Sequence, residues 1–143
     1  MLKIVRHGSA RWQGGLKTGK GSISTQSGAL SAYPYALASR VDNQPGTNPE
    51  ELIGAAHAGC FTMALSKALG EAGLTAERIE TSAKVTLEQL ADGFAITAVH
   101  LALEAQVPGA EAATFLRLAE KAKAECPVSR LLKADITLEA RLV

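Results

Sequence analysis

The sequence predicts an α+β chain, and three observations carry that prediction. The first forty residues are short β-like runs cut by glycines, a long apolar helix opens at Asn48, and the second half shows strand-like alternation on both sides of one further helix. Leu2 to Trp12, Ser22 to Thr25 and Tyr35 to Val41 read as strands, separated by Gly14-Gly15 and Gly19-Lys20-Gly21. Asn43 to Asn48, Asn-Gln-Pro-Gly-Thr-Asn, has the composition of a turn and divides this β region from the long helix.

The helix has a well-marked start. Asn48 suits the N-cap, Pro49 the first helical position, and Glu51 completes a capping box, while Glu50 and Glu51 lie at the positive end of the helix dipole. Gly70-Glu71-Ala72-Gly73 supplies the stop. Between Leu52 and Leu69 the apolar residues surround the axis, which predicts burial on every side. A chain of 143 residues, read as one domain over 1–143, has few elements to wrap such a helix, so part of its surface is expected to pack on a second copy.

Ile79 to Leu90 and Phe94 to Val107 alternate and are joined by Ala91-Asp92-Gly93, which predicts an antiparallel hairpin. In the second run Thr97, Val99, Leu101 and Leu103 share one face, and Ala98, His100, Ala102 and Glu104 the other. Ala110 to Glu125 has helical spacing, with Phe115, Leu118 and Ala122 in one stripe. A short helix is expected over Pro127 to Leu132. Ile136, Leu138, Ala140 and Leu142 then mark a last strand.

Fifteen Lys and Arg against fourteen Asp and Glu leave no basic field for a nucleic-acid backbone. The N-terminal residues carry Lys3, Arg6, His7 and Arg11 and do not read as a signal peptide, and the run Leu52 to Leu65 is shorter than the ~20 residues of a membrane span. A soluble, cytoplasmic protein without membrane association is therefore expected. Three dispersed histidines and two distant cysteines have no metal-ligand spacing, so neither metal nor cofactor is expected.

The two cysteines, Cys60 and Cys126, are too few for a secreted disulfide framework and are expected as free thiols. Cys60 lies in the middle of the long helix among small residues, Ala55-Ala56-His57-Ala58-Gly59, which leave room for a substrate or for a close helix contact. Cys126 precedes Pro127 at the start of the short helix, where backbone N–H groups favour a thiolate. Either could be the attacking thiol on these grounds.

A reactive thiolate needs a fixed cation and a partner that holds the cation in place. Glu50 is about 15 Å from Cys60 along the helix axis, too far to touch the sulfur, so an arginine has to act between them. Arg40 is the nearest upstream arginine. The plainer readings are a dipole-stabilising residue for Glu50 and a solvated strand-end charge for Arg40. His57, three residues before Cys60, could pair with it or serve as a hydrogen-bonded core residue.

Thr47-Asn48-Pro49-Glu50-Glu51-Leu52-Ile53-Gly54-Ala55-Ala56-His57-Ala58-Gly59-Cys60-Phe61, with Glu125-Cys126-Pro127-Val128-Ser129 downstream, resembles the OsmC/Ohr family of osmotically inducible and organic-hydroperoxide-resistance proteins. Lys20-Gly21-Ser22-Ile23-Ser24-Thr25 and Asp92-Gly93-Phe94-Ala95-Ile96-Thr97 resemble its OsmC branch. The resemblance implies an intertwined α+β homodimer, with antiparallel sheets wrapped around long central helices and active sites at the subunit interface.

It further implies a peroxidase active in oxidative and osmotic stress. Cys60 would attack a small organic hydroperoxide, or more weakly hydrogen peroxide, and become a sulfenic acid. Cys126 would resolve that acid to an intrasubunit disulfide, which an external dithiol reductant, such as one of lipoyl type, reopens. Glu50 would orient the activating arginine. The Ohr branch draws that arginine from an N-terminal Gly-rich segment, where this chain has Lys17 and Lys20, so Arg40 matches the OsmC-branch choice. The alternative is a non-catalytic dimeric protein with an apolar interface pocket that binds a ligand or senses oxidation. A general disulfide oxidoreductase would call for a Cys-x-x-Cys pair, which the sequence lacks.

Overall fold

The structure, a computed structural model, describes residues Met1 to Val143. It is α+β, with two three-stranded sheets and four helices, and divides into two units, Met1–Glu51 and Leu52–Val143.

In the first unit β1 (Gly8–Gln13), β2 (Lys20–Thr25) and β3 (Tyr33–Tyr35) form an antiparallel sheet in chain order. The first strand is shorter than expected: Leu2 to His7 precede the ladder, which starts at Gly8 opposite Thr25. Trp12 and Tyr35 meet edge to face, with ring centroids 5.5 Å apart. Every residue of β1 is exposed.

The run Tyr35 to Val41, expected as a strand, is corrected to the end of β3 followed by a five-residue helix α1, Leu37–Val41. Ser39 is the physical reason. Its hydroxyl accepts from the Ala36 N–H (2.9 Å) and donates to the Thr47 carbonyl (2.7 Å), folding the chain back on itself. Between α1 and the next helix, Gly46 holds φ +124°, and a Cβ there would lie 2.9 Å from the Pro34 carbonyl oxygen, so no other residue fits without a shift.

Helix α2 (Pro49–Glu71) begins in the first unit and continues through the second. Asn48 caps it by accepting from the Glu51 N–H at 2.8 Å. The Glu51 carboxylate takes the Thr47 hydroxyl at 2.7 Å rather than closing the reciprocal half of the capping box.

In the second unit β4 (Arg78–Leu90) pairs antiparallel with β5 (Gly93–Gln106) across the turn Ala91-Asp92, with a register shift at Thr86/Leu87. Helices α3 (Ala112–Glu125) and α4 (Pro127–Leu131) then carry the chain to β6 (Asp135–Leu142), which lies parallel to β5. A parallel neighbour requires such a crossover. As the central strand, β5 buries Val99, Leu101, Leu103 and Ala105 completely or nearly so.

Phe61, Leu65 and Leu69 of α2 join Phe115, Leu118 and Ala122 of α3 on that face of the sheet. Fully burying an aromatic or leucine side chain contributes about 1.5–3 kcal/mol. The expectation that α2 is buried all round does not hold within the chain: Ala55, Ala56, Gly59 and Met63 face outward, Met63 at 76 % exposure. One sheet and one helix can cover only one side of a cylinder. At 23 residues α2 is also long and apolar enough to cross a bilayer by length and composition, unlike the shorter run read from the sequence, but its inner face belongs to this core.

Candidate active site

Arg40 lies near the end of α1 and Glu50 in the first turn of α2, ten positions on. The guanidinium Nε donates to Glu50 Oε1 and Oε2 at 3.0 and 3.1 Å, and Nη2 donates to Oε1 at 2.5 Å. This forked, charge-assisted grip fixes the orientation of the cation. The hydrogen bond to Glu50 holds the Arg40 pKa above its ordinary value. Asn48 ties the same corner, donating through Nδ2 to the Ser39 carbonyl at 3.2 Å.

In the second unit Cys126 is fully buried at the junction where α3 ends and α4 begins. Cys60 is only partly covered and faces it from α2. Both are free thiols. Burial is the largest influence on Cys60 and pushes its pKa up. The neighbouring Cys126 thiol pushes the same way, while the Val128 backbone N–H pulls it down. Helix-dipole reasoning assigns the N–H groups of the short helix to Cys126. The structure turns that of Val128 to Cys60.

Beside Cys60 opens a cavity of about 480 Å³, walled by Met63, Ala64, Ala68 and Pro127. Lys67, Glu71 and Lys121 stand at its charged side, Glu71 lying 3.2 Å from Lys67 and 3.9 Å from Lys121. A small apolar molecule carrying one reactive polar group fits such a space against the sulfur.

His57 is not paired with Cys60. Completely buried, its Nε2 lies 2.7 Å from the hydroxyl of Ser129 on α4, and Nδ1 has no partner. Burial lowers its pKa, so the ring is neutral at pH 7. An unpartnered buried polar atom costs about 1–3 kcal/mol. Sequence reasoning does not pair His57 with Ser129, because no local pattern links two positions 72 apart. Lys17 lies between β1 and β2, and Lys20 begins β2.

The family model described as OsmC-like protein matches residues 41–141. Peroxiredoxin OsmC of Escherichia coli is 53 % identical over 141 residues, covering 99 % of each chain. The chain belongs to the OsmC family. An organic hydroperoxide resistance protein of Xanthomonas axonopodis pv. citri is 31 % identical over 98 residues, 68 % of this OsmC-family chain and 67 % of that protein. Among solved structures, an organic hydroperoxide resistance protein from Elizabethkingia anophelis superposes with TM-score 0.71 at 25 % identity, covering 99 % of this chain and 98 % of that one. An OsmC-like protein from Mycoplasma pneumoniae reaches TM-score 0.77 at 14 % identity over 99 % of both chains, a likeness of OsmC fold alone.

Proposed function

We propose that the chain is a thiol-dependent peroxidase that reduces small organic hydroperoxides, and hydrogen peroxide more weakly, as part of oxidative and osmotic stress defence. A peroxidase activity is in keeping with its 53 % identity to Peroxiredoxin OsmC over nearly the whole chain. The observation that carries the reading is the pairing of two free thiols near enough for one to shift the other's titration, Cys60 beside a cavity and Cys126 buried behind it.

In this reading the Cys60 thiolate attacks the terminal oxygen of the hydroperoxide. The O–O bond breaks, the departing alkoxide takes a proton to become the alcohol, and the sulfur, oxidised by two electrons, becomes a sulfenic acid. Cys126 then attacks that sulfur, forming an S–S bond and breaking the S–O bond. The hydroxide leaves with the proton from Cys126 as water. An external dithiol, of lipoyl type, returns two electrons by thiol–disulfide exchange. The sulfurs do this without a bound cofactor.

Cys60 in this chain is held toward its neutral form, so the reaction needs a cation. Arg40, oriented by Glu50, fills that role in the working enzyme, with Lys17 and Lys20 as the other candidates. The enzyme works as a soluble, cytoplasmic homodimer. The outward stripe Ala55, Ala56, Gly59 and Met63 on α2 and the uncovered β1 strand support assembly, because a second copy would remove this surface from water.

The test is steady-state reduction of cumene hydroperoxide with dihydrolipoamide as reductant. Cys60→Ser should abolish turnover, and Cys126→Ser should stop after one equivalent with a trapped sulfenate. If the wild-type chain consumes no hydroperoxide, the reading fails. If Cys126→Ser turns over and Cys60→Ser gives the single equivalent, the two thiols exchange roles.

A further inference from the structure

The bond between His57 and Ser129 joins the helix that carries Cys60 to the one that Cys126 caps, and the peroxidase cycle makes no use of it. His57 stands three residues before Cys60 on α2, and Ser129 three residues after Cys126 on α4. The partners are 72 positions apart, their polar atoms 2.7 Å apart, and both side chains are buried. It is a side chain to side chain hydrogen bond between α4 and α2, beside the Val128 N–H that turns toward Cys60.

Helix α4 needs such a tie. Five residues form barely more than one turn, too few to hold a helix by internal hydrogen bonds. Its internal backbone bonds, Arg130 N–H to the Cys126 carbonyl and Leu132 N–H to the Val128 carbonyl, shape the turn, and against α2 its backbone offers only the Val128 N–H to the weak sulfur acceptor of Cys60. An apolar residue at position 57 would bury without leaving Nδ1 unpartnered. What the histidine adds is direction. The tautomer with the proton on Nε2 donates to Ser129 and leaves only a lone pair unsatisfied.

We propose that His57 and Ser129 are positioning residues for disulfide closure, their hydrogen bond holding the α4 turn so that the Cys126 sulfur faces Cys60. The inference rests on the two-cysteine peroxidase cycle. Closure requires the Cys126 sulfur to approach the Cys60 sulfenic acid opposite the breaking S–O bond, with hydroxide leaving as water. A turn free to drift makes that approach less often. The waiting sulfenic acid then meets a second hydroperoxide, which delivers another oxygen and yields sulfinic acid and a second alcohol.

The experiment is a single turnover with one equivalent of tert-butyl hydroperoxide, quenched with dimedone and read by mass spectrometry. In Ser129→Ala the sulfenic acid should persist about tenfold longer than in the wild-type chain, matching the loss of one hydrogen bond. Excess hydroperoxide should then give sulfinic acid, while the rate of first attack changes less. Ser129→Thr, which keeps the hydroxyl, should restore closure. Should Ser129→Ala fail to fold, His57→Gln keeps a donor near the Nε2 position and must close faster than His57→Leu. A folded Ser129→Ala that closes as fast as the wild type, or His57→Gln and His57→Leu closing alike, overturns the positioning role and leaves the peroxidase reading standing. A wild-type chain that forms no sulfenic acid removes both.

Discussion

Arg40 and Glu50 are locked together by three short nitrogen–oxygen contacts, although the carboxylate is nearly buried and the guanidinium is 41 % exposed. The pair therefore has one sealed and one wet end. Glu50→Ala should cost about 1–3 kcal/mol of stability, because a charge-assisted contact at a mostly buried carboxylate is lost. Urea unfolding at pH 7 measures it. Arg40→Ala should cost less, since its charge is half in water, yet should slow hydroperoxide reduction more than it shifts the unfolding midpoint.

Cys60 offers a pH test of the same proposal. Burial and the Cys126 thiol both raise its pKa. In an Arg40→Ala chain, alkylation by iodoacetamide should follow thiolate formation with a midpoint above the ordinary cysteine range of about 8.5. Adding Cys126→Ala removes one raising influence and should bring the midpoint back down. The sign for stability is the reverse of a salt-bridged carboxylate's. A raised folded pKa stabilises at pH values below the unfolded pKa, and that contribution is lost as pH climbs through the folded one.

His57 works in the opposite direction. Its pKa is lowered in the folded chain, so its contribution is present above about pH 6.5 and is lost as falling pH protonates the unfolded ring first and then reaches the folded pKa. The urea midpoint should fall between pH 7 and pH 5.5. In His57→Gln that fall should be smaller.

Gly46→Ala should destabilise by roughly 1 kcal/mol or more, because φ +124° and the contact with Pro34 both oppose a Cβ. Thermal melting reads the loss directly. The Arg40–Glu50 corner should loosen with it and activity should fall.

Gly59→Leu separates the lone chain from the dimer. A Cβ at Gly59 meets nothing within 4 Å, so the chain should fold at least as well, with a better helix former in place. A close helix contact with a second copy could not accept it. Light scattering should give a dimer for the wild type and a monomer for Gly59→Leu. A persistent dimer would place the interface elsewhere.

How much of this was legible depended on how local the cause is. The alternation of Thr97 to Leu103, the stripe Phe115, Leu118 and Ala122, and the last strand all follow from burial on one face, which the chain writes at a fixed period. Helix α1 was not legible. Five residues are too few to show a period, and Leu37 and Val41 look as strand-like as helical until Ser39 finds Thr47. The start of α2 was readable because Asn48 and Pro49 act on their own neighbours. The parallel pairing of β6 with β5 was not, since nothing in Asp135 to Leu142 records which strand it joins.

The site divides in the same way. That Glu50 cannot reach Cys60 follows from helix rise alone, whereas the contact of Arg40 with Glu50 depends on the turn through Gly46. The His57–Ser129 bond spans 72 positions and has no local signature at either end. Helix-dipole reasoning puts the helpful N–H groups at Cys126, where the chain bends. The bend instead presents the N–H of Val128 to the neighbouring helix.

Cys126 has no accessible surface, while Cys60 opens onto a cavity whose charged edge balances Lys67 and Lys121 against Glu71 and Glu125. To a bulky electrophile the chain is therefore a one-cysteine target. An acrylamide or chloroacetamide warhead carrying a short greasy tail would find a single nucleophile to modify, and under the proposed cycle modification there would silence both thiols at once.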